Sequence, residues 1–422
     1  MLRRLQLLLV AIVLLVAAFS TGLPFLFYLV YLGLLAVGGS YVLTRLGLTD
    51  LEAGYAVDRL HGHVGEELRT TYTLRNTSRV PKPWLEAHNP TDLPVAIPGR
   101  ALSLGPTSER AWVARVPLTR RGTFRIEPLQ IRTGDPFGFF EAGATVGHAV
   151  SVMVYPRVDP LPRWRLPAAN IEGTHSAPER TLQTTPLATT VRPYAPGDSF
   201  NRIHWKTTAR YGEIQVKEFD LEQTADAWIF LDLDATVQAG EGDESTLEVA
   251  VRAAASIADR AVGEKRAVGL TATGHRTVVL PADRGSRQHQ KIMQLLAAVE
   301  ADGDTRLVEA LVTGLPRLRR GMTAVVITPS PDRAWVRPLA DLRARGVACL
   351  VVSLDGPSFE RAPLGSGAAW GGATRDLRAA AETASNDPAA QAQRALQHAL
   401  AEYELRSHTV RAGDALGAVL VG

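Results

Sequence analysis

The chain has 422 residues, of which 46% are hydrophobic and 21% are charged, so neither a disordered chain nor a protein lying wholly in a membrane fits. Its 46 basic and 43 acidic residues leave a formal net charge of +3, a balance that argues against a nucleic-acid binder. The single cysteine, Cys349, excludes an intramolecular disulfide framework and a multi-cysteine zinc site. The length predicts two or three domains.

Two apolar stretches without a charged residue stand at the start of the chain, Leu5–Phe19 and Leu23–Leu43. A membrane-spanning helix needs about 20 predominantly apolar residues, so the second stretch is long enough and the first is slightly short. The residues between them favour a turn, and we therefore predict a transmembrane hairpin over residues 1–46. A cleaved signal peptide is the alternative for the first stretch.

The positive charges around this hairpin predict its orientation. Arg3 and Arg4 precede the first stretch, Arg45 follows the second, and the connecting turn carries no charge. Basic residues stay on the cytoplasmic side of a membrane. We therefore expect a bacterial inner-membrane protein with two transmembrane helices and its soluble domains in the cytoplasm.

The soluble part begins with a β-rich pattern. Over residues 50–158, short β-branched runs alternate with turn residues about every 8–12 residues, which predicts a β-sandwich. Residues 159–190 hold several prolines and little periodicity, so they are predicted to be a linker. Residues 191–224, a segment dense in charged and aromatic residues, follow.

Strands and helices then alternate over residues 225–356. Apolar strands such as Ala227–Leu233 and Thr323–Thr328 are separated by amphipathic helices, which predicts a parallel sheet covered on both faces. Residues 357–422 are predicted to form a Gly/Ala-rich segment and a C-terminal helix.

The segment 191–224 has two interpretations. Its Pro-Gly-Asp sequence at Pro196, Gly197 and Asp198 predicts a turn, and the acid favours the start of a helix. Charged side chains packed around a buried tryptophan would make the segment structural. Alternatively, the segment is a docking or ligand surface in which the tryptophan supplies a large flat anchor of the kind favoured at protein interfaces. The residues that we assign to this candidate surface are Arg192, Tyr194, Pro196, Gly197, Asp198, Ile203, His204, Trp205, Lys206, Thr208, Ala209, Arg210, Lys217 and Glu218.

The order of these residues resembles the signature of the domain of unknown function 58 family. The matching pattern runs Arg-x-Tyr-x-Pro-Gly-Asp, then Ile-His-Trp-Lys-x-Thr-Ala-Arg, and ends in Val-Lys-Glu-Phe. The resemblance implies two N-terminal membrane spans, a β-rich segment and a von Willebrand factor A-like α/β domain. It also implies association with a MoxR-type AAA+ ATPase, and it implies no settled reaction.

A possible metal site follows the first strand of the α/β region. The sequence Asp232-Leu233-Asp234-Ala235-Thr236 partly matches the Asp-x-Ser-x-Ser pattern with which A-type domains bind a divalent metal. Carboxylate and hydroxyl oxygens suit a hard cation, which makes Mg²⁺ the candidate cofactor and Asp232, Asp234 and Thr236 its candidate ligands. Alternatively, the two aspartates cap the loop.

The same Asp-x-Asp-x-Thr sequence also fits the first motif of haloacid-dehalogenase-like phosphatases, in which the first aspartate attacks phosphorus. That chemistry needs a later lysine, and no lysine follows Lys291. We therefore favour a membrane-anchored cytoplasmic scaffold that docks a MoxR-type ATPase in envelope or metalloprotein maturation. The alternative is a metal-dependent hydrolase that uses Asp232 and Asp234.

Overall fold

The computed structural model describes residues 2–162, 164, 166–167, 190–195, 198, 200, 203–218, 226–275, 277–361 and 388–420. The predicted linker lies mostly outside these residues, as do Pro196, Gly197 and the Gly/Ala-rich segment up to residue 387. The chain divides into two compact units, residues 1–158 with 293–299 and residues 159–292 with 300–422.

Two helices open the first unit, α1 (Leu2–Thr21) and α2 (Pro24–Gly47). Gly22 has a φ of +65°, and a proline starts α2, so the chain turns over two residues. Among the described residues, α2 is the helix long and apolar enough to span a membrane, whereas the apolar part of α1, Val10–Thr21, is shorter. One candidate membrane helix near the N-terminus is thus confirmed, and the second span stays a prediction.

The rest of the first unit is β-rich, as predicted. Its strands are β1 (Leu51–Val57), β2 (His61–His63), β3 (Glu67–Asn76), β4 (Lys82–His88), β5 (Arg100–Leu104), β6 (Glu109–Pro117), β7 (Gly122–Ile126), β8 (Leu129–Gly134), β9 (Glu141–Val146) and β10 (Val150–Tyr155). They form sheets of order β1-β3-β6, β2-β10-β7 and β5-β4-β8-β9. Strict alternation of buried and exposed residues along β3 places one of its faces on a shared apolar core.

The second unit begins with a small hairpin-like motif. β11 (Thr190–Pro193) pairs antiparallel with β12 (Gln215–Glu218), and the helix α3 (Trp205–Tyr211) lies between them in the chain. Gly212 ends α3 in the left-handed conformation with a φ of +74°, which explains a glycine at this position.

A six-stranded sheet forms the body of this unit. Its elements are β13 (Ala227–Asp232), α4 (Thr246–Gly263), β14 (Val268–Thr273), β15 (Thr277–Asp283), α5 (Ser286–Ala298), α6 (Leu307–Gly314), β16 (Thr323–Thr328), α7 (Val336–Ala344), β17 (Ala348–Leu354), α8 (Gly356–Arg361), α9 (Pro388–Glu402), β18 (Arg406–Val410) and α10 (Leu416–Val419). The strand order is β15-β14-β13-β16-β17-β18, with β15 antiparallel to its neighbour and the other pairs parallel. Every residue of β13, β14 and β16 is buried, as expected for a sheet covered on both faces.

The sheet continues past the boundary predicted at residue 356. β18 pairs in parallel with β17, and Leu396 and Leu400 of α9 are buried in the same apolar core as Phe230. Residues 388–420 therefore complete the α/β sheet, and the sequence had assigned them to a separate segment. The predicted helix in this region is present, whereas the edge strand was missed.

Candidate functional site

The signature segment is held by an ion pair. Both guanidinium nitrogens of Arg192 donate to the carboxylate of Asp198, Nη1 to Oδ2 and Nη2 to Oδ1, each at 2.8 Å. Asp198 Oδ2 also accepts a hydrogen bond from the backbone N–H of Ala195 at 2.9 Å. A bidentate arginine–carboxylate pair fixes orientation as well as distance. The turn between β11 and α3 is therefore pre-shaped by residues six apart in the chain.

The start of α3 is capped by a histidine side chain. His204 Nδ1 accepts a hydrogen bond from the backbone N–H of Thr207 at 3.2 Å, and the Thr207 hydroxyl lies 2.6 Å from the same nitrogen. Ile203 is buried and bridges Val216 of β12, while the Thr208 hydroxyl accepts from the Gln215 N–H at 3.0 Å. Among the predicted surface residues, Ile203, His204 and Thr208 thus hold α3 against β12.

The outer face of α3 carries the remaining predicted residues. Trp205 is 68% exposed, so the alternative of a buried tryptophan is wrong. Lys206, Ala209 and Arg210 are also exposed, and helical geometry places them within about 140° of Trp205 around the axis. This set, Trp205, Lys206, Ala209 and Arg210, is called the α3 face below. Tyr194, in the turn that precedes α3, stacks on Phe200, with ring centroids 6.1 Å apart.

Two predicted residues remain on β12. Lys217 and Glu218 pair through their backbones with Val191 and Thr190 of β11. Only their backbone positions are described, and these continue the two-stranded sheet behind the α3 face.

The second candidate site lies where the central strands end. Asp232, the last residue of β13, is only 1% exposed. Its Oδ2 accepts a hydrogen bond from the hydroxyl of Thr328 at 2.6 Å, and its Oδ1 accepts the backbone N–H of Asp234 at 3.2 Å. Burial raises the pKa of Asp232 to about 6, against the opposing effect of these two hydrogen bonds. Asp232 is thus held in place by Thr328, the last residue of β16.

Asp234 and Thr236 interact with each other. Asp234 Oδ1 accepts from the backbone N–H of Thr236 at 2.9 Å and from its hydroxyl at 2.7 Å. This is the capping arrangement that the sequence left open as the alternative to metal binding. The two carboxylates therefore occupy one loop, each with partners of its own.

A glycine that the sequence analysis missed closes this loop. Gly303 accepts a hydrogen bond from the Ala235 N–H at 2.9 Å and donates its own N–H to the Leu233 carbonyl at 3.1 Å. A Cβ atom at Gly303 would lie 2.5 Å from the carbonyl oxygen of Thr273, so no larger residue fits without movement of the backbone. Close approach, and not an unusual φ, explains this glycine; a lone glycine in a charged loop gave no signal of it.

The donor set fits a hard cation only in part. Asp232, Asp234, Thr236 and Thr328 offer oxygen atoms, which Mg²⁺ prefers. Within the described residues, however, no group of three or more His, Cys, Asp or Glu side chains is placed to hold a metal. A bound Mg²⁺ would have Asp232 and Asp234 as its charged ligands and would supply charge neutralisation there. For nucleophilic attack, Asp232 would first have to become accessible.

The second unit is thus an α/β domain whose sheet has a polar carboxyl edge, and the helix α3 with its exposed face precedes that sheet in the chain. Residues 190–363 match the family described as "Protein of unknown function DUF58", so the chain carries a DUF58 family domain. The resemblance inferred from the signature is confirmed for this domain.

Several known proteins are similar to this chain. The uncharacterized protein YeaD of Bacillus subtilis is 26% identical over 287 residues, 66% of this chain and 68% of that protein. The uncharacterized protein Rv1480 of Mycobacterium tuberculosis is 28% identical over 180 residues, and the match covers 41% of this chain and 56% of that protein. The chain therefore spans little more than half of the mycobacterial relative. Among solved structures, the CARDB domain of a Pyrococcus furiosus protein matches 25% of this chain and 87% of its own length, at 14% identity and a TM-score of 0.19, which is too low to indicate a shared fold.

Proposed function

We propose that this chain is a membrane-anchored scaffold that docks another protein through the α3 face. The observation that carries the proposal is the exposure of Trp205 on a short helix whose ends and backing strand are fixed by specific hydrogen bonds. Exposed tryptophan on a rigid support is typical of residues that dominate binding energy. A merely structural segment would bury this side chain.

The proposed partner is a MoxR-type AAA+ ATPase, as the family resemblance implies. Lys206 and Arg210 lie four residues apart on α3, so their charges share one side of the helix. This favours an acidic surface on the partner, which would speed association and would weaken with added salt. Docking would recruit the ATPase to the membrane to remodel or mature an envelope or metalloprotein client.

The anchor proposed for this scaffold is a two-helix transmembrane hairpin with both ends in the cytoplasm. The direct two-residue connection of α1 to α2 and the edge-to-face packing of Phe19 on Phe27, with centroids 5.4 Å apart, support it. For the second unit we propose a von Willebrand factor A-like fold. Its strand order, its antiparallel edge strand β15 and the position of Asp232 at the carboxyl edge support that assignment.

A binding measurement with purified components tests the docking proposal. The full-length chain in lipid nanodiscs would be immobilised and titrated with the purified MoxR-type ATPase from the same genome, with and without a non-hydrolysable nucleotide. Trp205→Ala should weaken binding strongly, and the double variant Lys206→Ala, Arg210→Ala should lower the association rate at low salt. The matched control is Tyr403→Ala, another exposed aromatic residue of the second unit. Equal binding by all variants would refute the α3 face as the docking surface.

The raised pKa of Asp232 favours the hydrolase as a second candidate function. Perturbed carboxyl groups at the carboxyl edge of a parallel sheet are a common feature of active sites. If this function is right, Mg²⁺-dependent hydrolysis of p-nitrophenyl phosphate should be abolished by Asp232→Asn and kept in Trp205→Ala. If the full-length chain shows no turnover above that of Asp232→Asn, the hydrolase proposal is wrong.

A further inference from the structure

Within the part of the chain that the structure describes, the helix α2 is buried against the β-rich unit at its C-terminal end. Its buried residues are Ser40, Thr44 and Gly47, which repeat every three to four residues and so form one helical stripe. Residues 24–39 of α2 are exposed or half-buried, so protein covers little of their surface. The last two turns of α2 therefore pack on protein, while the turns before them project from it.

A buried lysine fixes this attachment. Lys82 of β4 is 1% exposed, and its ammonium donates hydrogen bonds to the carbonyl oxygens of Leu46 and, at 2.8 Å, of Thr49. These carbonyls lie at and just beyond the end of α2, where the helix dipole favours a positive charge. Burial lowers the pKa of Lys82, while the neighbouring Asp50 opposes this. The β-rich unit is thus held at a defined height relative to α2.

The loop between β8 and β9 lies beside these last turns. Asp135 Oδ2 accepts the N–H of Phe137 at 2.9 Å, and Asp135 Oδ1 accepts the N–H of Phe140 at 2.6 Å. Gly138 adopts a φ of +72°, which lets the loop close. Burial raises the pKa of Asp135, but the backbone hydrogen bonds outweigh it and the pKa is lowered overall. The carboxylate is therefore ionised at neutral pH and holds the loop in shape.

This loop presents aromatic side chains next to the helix. Phe140 packs edge to face on Tyr41 of α2, with centroids 5.6 Å apart, and Phe139 stacks on Phe137 at 5.5 Å. Phe137 itself is 64% exposed. Arg45 lies with its guanidinium 5.7 Å from the centre of the Tyr41 ring, one turn closer to the end of α2.

The length of α2 sets the depth of the loop. Its 24 residues span about 36 Å, against about 30 Å for the hydrocarbon core of a bilayer. Tyr41 lies about 9 Å before the end of the helix. With the surplus length of about 6 Å shared equally between the two sides, Tyr41 lies about 6 Å below the hydrocarbon boundary, and with all of it on one side the depth is about 3 Å or about 9 Å. Its partner Phe140 lies at the same level, where aromatic residues of membrane proteins concentrate.

We propose that the loop of residues 136–140 inserts its phenylalanine side chains into the interfacial layer of the membrane that α2 spans. The β-rich unit then rests on the lipid surface and does not swing freely on its helix. This inference rests on the membrane anchor in the proposed function, and it is independent of the docking partner. In this position the exposed Phe137 ring lies in an apolar environment, and the Arg45 guanidinium can pair with lipid headgroup phosphates.

Depth-dependent fluorescence quenching tests the proposal on the full-length chain in vesicles. The variants Phe137→Cys, Leu35→Cys and Leu60→Cys would each carry a nitrobenzoxadiazole dye on the new thiol, and the lipid would carry spin labels at shallow or deep positions. Cys349 is buried and its thiol pKa is raised to about 12, so it should not react with the dye at neutral pH. Leu35 is 73% exposed at the middle of α2 and reports spanning. Leu60 is 59% exposed and follows β1. The seven residues of β1 start near the end of α2 and span about 23 Å, so Leu60 is the matched control far from that end.

We expect the Leu35 dye to lose fluorescence with deep spin labels, the Phe137 dye with shallow ones, and the Leu60 dye with neither. If the Leu35 dye is quenched while Phe137 matches Leu60, the loop does not touch lipid and the inference is overturned, although the anchor stands. If the Leu35 dye is not quenched, α2 does not span the membrane, and the anchor fails together with this inference. Because Phe137 is exposed, its replacement by labelled cysteine should leave the fold intact.

Discussion

Replacing Asp232 by asparagine should change how the stability of the α/β domain depends on pH. The folded-state pKa of Asp232 is raised to about 6 from an ordinary value of 3.8, because burial disfavours the charged form. When the pKa of an acid is higher in the folded state than in the unfolded state, its stabilising contribution is complete at pH values below the unfolded-state pKa. That contribution is lost as the pH rises through the folded-state pKa. The wild-type domain should therefore lose stability between pH 4 and about pH 7, and Asp232→Asn should lack this loss.

The size of the effect follows from the shift. A change from 3.8 to about 6 corresponds to about 3 kcal/mol between the acidic and neutral limits. About half of this has already been lost at pH 5, which leaves about 1–2 kcal/mol to be lost between pH 5 and pH 8. Asp232 and its partner Thr328 are both buried, so solvent screening does little to reduce this value.

Hydrogen–deuterium exchange of the β13 peptide in the full-length chain measures this directly. Opening free energies at pH 5 and pH 8, corrected for intrinsic exchange, should fall by about 1–2 kcal/mol in the wild type and remain level in Asp232→Asn. Asp243→Asn, a change at an exposed acid of the same unit, should keep the wild-type dependence. A flat wild-type profile would show that Asp232 does not titrate in this range and that our account of its burial is wrong. Added Mg²⁺ that protects β13 only in the wild type would support the metal site.

Three further substitutions test other contacts. Gly303→Ala puts a Cβ 2.5 Å from the Thr273 carbonyl oxygen, so we expect the free energy of unfolding to fall by about 3 kcal/mol or more. Thermal unfolding measures this, and an unchanged midpoint would contradict the close approach. Asp198→Asn breaks the partly exposed pair with Arg192 and should cost under about 1 kcal/mol of stability while speeding exchange of the signature turn. Lys82→Met should free the end of α2, seen as faster amide exchange there, with about 1–3 kcal/mol lost; equal exchange would show that the ammonium does not hold the helix.

The sequence predicted the central strands of the sheet because they are continuous apolar runs. β13, β14, β16 and β17 are buried on both faces and consist largely of such residues. The edge strand β18 was missed for the opposite reason. β18, with the sequence Arg-Ser-His-Thr-Val, has a polar pattern that turns and loops share, and its place is set by pairing with β17.

The signature segment shows the same limit at the level of single contacts. The sequence identified a dense cluster of charged residues without showing which of them pair. The structure pairs Asp198 with Arg192, across a turn whose shape brings residues six apart together. Spacing predicts contacts within a helix, where geometry is regular, and it does not predict contacts across an irregular turn. Whether a tryptophan in such a segment is buried depends on tertiary packing, which local spacing does not predict.

The exposure of Trp205 also sets how strongly its removal should affect docking. A tryptophan side chain buries up to about 250 Å² in an interface, so the exposed 68% offers about 170 Å² of mostly apolar area. At about 25 cal/mol per Å² this is worth about 4 kcal/mol on complete burial, and alanine would keep a small part of it. Trp205→Ala should then weaken a complex by about 3 kcal/mol, or about 100-fold in Kd.

Lys206 and Arg210, as exposed charges, should each contribute under about 1 kcal/mol and lose that contribution in high salt. A docking surface built this way has an apolar anchor that sets the lifetime of the complex and charges that set its rate of formation. Equal losses of affinity from Trp205→Ala, Lys206→Ala and Arg210→Ala, with equal salt dependence, would contradict that division of roles.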